Sequence, residues 1–246
     1  GQTTRASSHL RYQTIESGAF YTHALNRIAA SSKTSLSLGV SAKDIVKMKD
    51  RWQINTTSGA FTAATVVDTR PPQRIPTYGQ FFLGCEIKTE RSIFDPNVVH
   101  LMSFRKARST GVDFVYILPF AADQALIEVT SFAPKNPGHQ VFTEWLNTEI
   151  NALDAGQIEI VRTEAGALPM EAGFTDPVPD GIIRMGLGAG GARPSTGYAF
   201  SRIQEQADHI ADALVHGSDP NVVLDGKITH FLDRVFLQVL TSNPAQ

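Results

Sequence analysis

One cysteine, Cys85, is all the thiol chemistry the chain holds. A lone thiol closes no intrachain disulfide and builds no cysteine-based zinc site, and it fits a reducing, cytoplasmic compartment. Long apolar runs are missing too. No stretch approaches the roughly 18 apolar residues of a membrane span, and no apolar h-region opens the chain, so neither a span nor a signal peptide is visible. Basic excess is also absent. Lys+Arg 22 against Asp+Glu 24 gives a net charge of -2, which argues against nucleic acid as a partner. The histidines are scattered, and His209 and His216, on one expected helix, are too far apart for i,i+4 ligation, so no metal is expected.

What is present alternates between helical and β texture, and 246 residues suffice to bury a sizeable core. The opening "GQTTRASSHLRYQT" is polar. "SGAFYTHALNRIAA" then spaces Phe20, Ala24, Leu25 and Ile28 as a helix does, with Ser17 as its expected cap. Trp52, Ile54 and Thr56 alternate, turn at Ser58-Gly59 and resume at Phe61, which predicts a hairpin feeding a buried strand over 64–67, just before Asp68.

From residue 78 to 132 the chain carries long β-rich segments separated by turn signals at Asp95-Pro96-Asn97, Ser109-Thr110-Gly111 and Ala122-Asp123. An antiparallel sheet is expected, one face of it available to a substrate. "HQVFTEWLNTEINAL" follows as a helix with Phe142, Trp145, Leu146, Ile150 and Leu153 on one side, and "QIEIVRTEAGALPM" returns as strand. The C-terminal "THFLDRVFLQVL" puts Phe231, Leu232, Val235, Phe236, Val239 and Leu240 on one broad face, expected to pack in the core. Its second reading is a peripheral contact with the inner face of a membrane, although the basic cluster of an interfacial anchor is missing.

The densest unusual stretch is "GLGAGGARPSTGYAF", residues 186–200, between a short buried strand and a helix. Ser195 or Thr196 is the expected cap of that helix and Gly217 its expected end. Glycines at a strand-to-helix junction let backbone N–H groups converge on an anion such as phosphate. They equally well build a tight turn with close packing. The spacing is neither GxGxxG nor a P-loop, so the glycines alone do not decide between the two.

The segments taken in order are more specific. "VVDTRPP", "FLGCEIKT", "FDPNVVHLMSFR", "FVYILPFAADQALIEVTSF", "GALPM", "GAGGARPSTGYAFSRIQ" and "FLDRVFLQVL" together resemble the lycopene β-cyclase family, from about Tyr12 to the C-terminal end. The resemblance implies an α/β flavoprotein: an FAD/NAD(P)-binding Rossmann-like domain carrying an inserted antiparallel β-sheet substrate domain. On that pattern residues 1–75 belong to the FAD-binding domain, 76–160 to the substrate domain, and 161–246 to the return into the FAD-binding domain plus C-terminal helices. The family's N-terminal strand-GxGxxG-helix has no counterpart before Tyr12, so the chain reads as the middle and most of the C-terminal part of a longer enzyme, its dinucleotide domain incomplete at the N-terminus.

The implied activity is cyclisation of the ψ ends of lycopene to β-ionone rings, giving β-carotene. It is an isomerisation that is not a net redox reaction, yet it needs reduced FAD, with NADPH as reductant. Protonating an alkene takes a carboxylic acid kept neutral by burial. Glu128 in "ALIEVTSF" matches the family's acid, and the alternative is a solvated glutamate on a strand's polar face. Relatives often carry a second acid directly after it, where this chain has Val129.

Cofactor contacts are implied for Asp68, Arg70, Gly188, Gly190, Gly191, Ser195, Thr196 and Gly197. For Asp68 and Arg70 the alternative is a structural ion pair at a strand end. Asp95 and Arg105 match polar positions of the substrate domain, and Ser103 stands where relatives often have Asp. Phe94, Phe104, Tyr116, Phe120 and Phe132 are either core or a lining for a polyene and its cation. The competing functions are a redox flavoenzyme on the same framework and a non-catalytic carotenoid or lipid-binding protein.

Overall fold

A computed structural model of the protein describes residues 13–106, 111–175, 177–221 and 224–242. The expected turn at Ser109-Thr110 lies outside them, as does the chain up to Tyr12. The chain divides into two compact units, Gly1–Thr65 and Val66–Gln246.

The first unit contains helix α1 (Ser17–Ala29) and an antiparallel three-stranded sheet of β1 (Ala42–Lys47), β2 (Trp52–Thr56) and β3 (Gly59–Ala63). The β2–β3 hairpin forms where the alternation of Trp52 and Ile54 meets a Ser58-Gly59 turn, with Gly59 at φ 115°. Ser17 is the first helical residue and not the cap. Glu16 holds that place without a side-chain hydrogen bond, and α1 has no buried residue.

The second unit is built on a five-stranded antiparallel sheet of β5 (Gly79–Thr89), β6 (His100–Phe104), β7 (Val112–Ala121), β8 (Gln124–Ala133) and β9 (Ile158–Pro169). Its strand order is β6-β7-β8-β5-β9. Strand β9 carries the sheet on to Pro169.

Successive residues in a strand face opposite sides, so the register defines two faces. On one, Leu83, Cys85, Val115, Ile127 and Val129 pack against Phe142, Trp145, Leu146 and Ile150 of helix α2 (His139–Asn151). Each such side chain contributes about 1.5–3 kcal/mol by leaving water, which makes this layer the main core. The other face carries Glu128, Thr130, Phe114 and Phe132 in register with Gly84, Phe82 and Gln80 of β5.

Strand β4 (Val67–Asp68) pairs in parallel with β10 (Ile183–Arg184), and helix α3 (Phe200–His216) follows the glycine stretch. The expected buried strand over 64–67 does not form. Only Val67 of that run is in a strand, and it is exposed, because the ladder with β10 spans two residues and buries Asp68 instead.

Gly217 ends α3 in the left-handed conformation at φ 69°, as expected. The start differs: the cap is Ala199, without a side-chain hydrogen bond, because residues 193–198 form their own turn. Helix α4 (Lys227–Ser242) also departs from expectation. Phe231, Leu232, Val235, Phe236 and Val239 are exposed, while Asp233 is buried and Leu237 and Leu240 pack on Tyr78, Phe114, Phe132 and Met170. The helix is turned this way because Asp233 meets Arg193. No described helix is long and apolar enough to cross a membrane.

Candidate functional site

Glu128 sits in the middle of β8, between Tyr116 of β7 and Gly84 of β5, on the face turned away from α2. Beyond Gly84 in the same row comes Glu164 of β9. Burial pushes the Glu128 carboxyl up to about 7; a hydrogen bond from Thr130 opposes this, and the negative charge of Glu164 adds to it. Thr130 Oγ1 donates to Glu128 Oε1 over 2.8 Å and is itself fully buried. A carboxyl so placed holds its proton near neutrality, which an acid for an alkene requires.

The row below Glu128 is aromatic. Phe114 stands edge-on to Phe132, Tyr116 and Phe104, with ring centroids 4.9, 5.4 and 6.1 Å apart. Of the aromatics singled out in the sequence, Phe104, Tyr116 and Phe132 therefore gather around Phe114, and Tyr116 is the cross-strand partner of Glu128. Phe94 packs instead with the α2 core, and Phe120 is exposed. Phe114, the ring the others surround, was not singled out, and strand alternation relative to Tyr116 is the signal that finds it.

Val129 faces the α2 core and is fully buried there. A carboxylate at that position would project away from Glu128, so its absence leaves the Glu128 face unchanged.

Asp95 and Arg105 are placed elsewhere. Asp95 Oδ1 accepts from the backbone N and side-chain amide of Asn97, closing a turn. Arg105 forms a two-pronged pair with Glu149 of α2, over 2.9 and 3.0 Å, and also reaches Ser103 Oγ. Trp145 Nε1 donates to the same Glu149, so this cluster ties β6 to α2.

At the end of β4, Asp68 is buried and accepts from the Arg70 backbone N, Nε and Nη2. Arg184, its register partner on β10, approaches to 3.0 Å. The hydrogen bonds from Arg70 outweigh burial and hold the Asp68 carboxyl below its usual range. Both Asp68 oxygens are thus committed to arginines. A Cβ on Gly188 would lie 2.5 Å from Arg184 Nη2, so this glycine makes room for the ion-pair cluster. Arg184 was not singled out; the parallel pairing that sets it opposite Asp68 is invisible in the sequence.

Gly190 turns the chain at φ 71°, and Gly191 N donates to Gly186 O over 2.9 Å. A Cβ on Gly191 would come within 2.7 Å of that carbonyl, so the close approach at Gly191 is the chain to itself. Helix α3 anchors the turn: Gln206 accepts from Gly186 N, and Arg202 Nε donates to Gly191 O. A cleft of about 200 Å³ opens alongside, lined by Gly190, Ala192, Pro194, Arg202, Asp225 and His230 among others.

Ser195 is buried, Thr196 is exposed with Oγ1 accepting from Tyr198 N, and Gly197 lies at φ 69°. A Cβ on Gly197 would sit 2.4 Å from Gln80 Oε1, a buried acceptor with no hydrogen-bond partner among the described residues. Gln80, two positions along β5 from Phe82, thereby joins the sheet to the Pro194-Ser195-Thr196-Gly197 turn.

The lycopene cyclase protein family model matches residues 1–237. A lycopene beta-cyclase of Pseudescherichia vulneris is 32% identical over 175 residues, covering 65% of this chain and 44% of that protein. One from Paracoccus sp. (strain N81106 / MBIC 01143) is 31% identical over 157 residues, covering 61% and 40%. The matched region thus spans less than half the length of these relatives.

Among solved structures, a geranylgeranyl bacteriochlorophyll reductase-like protein from Thermoplasma acidophilum superposes with a TM-score of 0.62 at 12% identity, over 89% of this chain and 58% of that one. A triple mutant of the flavin-dependent brominase Bmp2 gives 0.50 at 14% identity, over 89% and 60%. These likenesses establish the fold class, an α/β Rossmann-like fold with an antiparallel sheet. With a family match over nearly its whole length, the chain belongs to the lycopene cyclase family.

Proposed function

We propose that this protein cyclises the ψ ends of lycopene to β-ionone rings, with Glu128 as the acid that starts the reaction. The observation that carries this is a carboxyl raised to about 7 by burial, on a sheet face where Tyr116 shares its row and Phe114 stands in the next. The naming of the similar proteins as lycopene beta-cyclases supports the substrate.

Glu128 gives its proton to the terminal alkene carbon, and the neighbouring double bond attacks the resulting cation to close the ring. A ring proton then returns to the carboxylate that the first transfer left behind. One proton enters and one leaves, so no electrons are exchanged with substrate. Aromatic faces near the acid stabilise the intermediate cation, and burial excludes water that would trap it.

FAD fits the arrangement around Gly197. Gln80 Oε1, a buried acceptor with no partner among the described residues, can take a donor from the cofactor, and the start of α3, without a side-chain cap, is an end whose dipole favours an anion. Ser195, Thr196, Gly197 and Gly190 would hold the cofactor, with Gly191, Asp68, Arg70 and Gly188 bracing the turn behind them. When bound and reduced by NADPH, FAD would supply negative charge that stabilises a nearby cation. The exposed apolar side of α4 is consistent with peripheral contact with the membrane that dissolves lycopene.

The test is to express the full-length protein in lycopene-accumulating cells and identify the pigments. β-Carotene is expected, and its loss in Glu128→Gln. A redox flavoenzyme would consume NADPH with each turnover, and a carrier would bind lycopene without yielding product.

A further inference from the structure

Gly84 leaves a gap in the row Tyr116, Glu128, Gly84, Glu164. The four lie side by side on β7, β8, β5 and β9, so the two glutamates are two strands apart with no side chain between them. Strand spacing puts their backbones about 10 Å apart, a distance two glutamate side chains leaning inward shorten substantially. The gap is confined: a Cβ on Gly84 would lie 3.2 Å from the Cβ of Glu128. Below it, Phe82 leans away over Gly166, where a Cβ would come within 2.4 Å of the ring. Two in-strand glycines therefore clear a trough between the carboxyls, the close-approach use of glycine in a strand.

Glu164 is itself held. Arg162 Nη1 donates to Glu164 Oε2 over 2.6 Å, and Arg162 Nε donates to Glu86 Oε2 over 2.6 Å. The charged groups facing Glu128 across the sheet are then Glu164, Arg162 and Glu86. Tyr116 and Thr130 are its polar neighbours, and α4 brings only Leu237 and Leu240 to the adjoining apolar cluster.

We propose that Glu164 is the second carboxyl of this site, a positioning residue on β9 that acts on Glu128 across the gap left by Gly84. Arg162 sets how much of its charge Glu128 feels. This rests on the reading of Glu128 as the acid. It also supplies, from another strand, the carboxyl that Val129 does not. With Glu164 ionised, a second negative charge in the trough is disfavoured and the proton stays on Glu128. The Glu164 side chain is 33% exposed and Arg162 45%, so water and the guanidinium weaken the effect without removing it.

The test is a pH titration of side-chain carboxyls by NMR on the purified protein labelled at the glutamate carboxyl carbon. Glu128→Gln and Glu164→Gln assign the two signals. In Glu164→Gln the Glu128 midpoint should fall by on the order of half a pH unit or more, and in Arg162→Gln it should rise. Cyclisation by Glu164→Gln should drop at neutral pH and recover at lower pH with KM for lycopene unchanged, which a merely structural role would not give. An unmoved Glu128 midpoint in folded Glu164→Gln would overturn the proposal. Should Glu128→Gln make β-carotene normally while Glu164→Gln still lowers the Glu128 midpoint, the acid assignment fails and the carboxyl pair stands.

Discussion

Arg193 Nε donates to Asp233 Oδ1 over 3.1 Å, joining the turn ahead of α3 to the buried side of α4. Asp233 is 1% exposed, whereas the Arg193 side chain is 40% exposed. Removing the aspartate leaves a cation that water can reach, so the loss is that of a charged hydrogen bond and not of a stranded buried charge.

Asp233→Ala should therefore cost about 1.5–3 kcal/mol, and Asp233→Asn less, since the amide oxygen still accepts from Arg193. Urea denaturation measures the cost. Hydrogen exchange should show α4 amides opening first in the alanine variant; unchanged α4 exchange would mean that Leu237 and Leu240 alone hold the helix.

The raised Glu128 carboxyl predicts a specific dependence of stability on pH. Between an unfolded value near 4.5 and a folded value of about 7, the folded chain binds more protons than the unfolded one, so this group makes unfolding easier as pH rises. Its contribution is harmless below 4.5 and fully unfavourable above 7. Glu128→Gln removes it, and the variant should overtake the wild type as pH rises from 5 to 8, by on the order of 2–3 kcal/mol. Parallel stability curves in urea titrations across that range would show that Glu128 is solvated.

Strand alternation made the antiparallel sheet and the apolar side of α2 legible in the sequence, because both follow local periods. Glu128 was legible through its motif, and its burial and its face were not. Those depend on Gly84 and Gly166, whose neighbours come from other strands. Arg184 opposite Asp68 was hidden for the same reason: a parallel pair of two residues, brought together over a hundred positions, leaves no local pattern. The apolar side of α4 misled because periodicity marks an apolar face but says nothing of what covers it, and here one buried aspartate chose the orientation.

Gly197 has a left-handed φ of 69° and no room for a Cβ beside Gln80 Oε1. Gly197→Ala should cost about 1–2 kcal/mol from the backbone alone, with Gln80, the flexible partner, displaced. If Gly197 and Gln80 hold the flavin, its Kd in the full-length protein should rise at least tenfold, measured by fluorescence titration. A variant that loses stability and keeps its flavin affinity would confine Gly197 to the turn.

Cys85 is 1% exposed in the α2 core, and burial pushes its thiol up to about 11. At pH 8 the folded protein should resist an aromatic disulfide reagent, with modification at the rate of opening. Addition of urea to the transition midpoint should release one equivalent of thiol rapidly. Prompt reaction in buffer would show that the β5–α2 layer opens easily.

The Val129 position offers a test of which face carries the chemistry. Val129 packs with Leu83, Val115 and Trp145 in an apolar cluster. Val129→Glu would restore an acid in the place where relatives often have one, yet alternation sends it under α2 and not beside Glu128. Burying an unpaired carboxyl there is expected to cost about 3 kcal/mol or more, seen as a lower urea midpoint that recovers partly as pH falls and the new group is protonated. The Glu128 titration should move little in comparison with its response to Glu164→Gln. If Val129→Glu instead left stability intact and shifted the Glu128 midpoint more than Glu164→Gln does, β8 would be turned differently from the register seen here and the second carboxyl would belong next to the first.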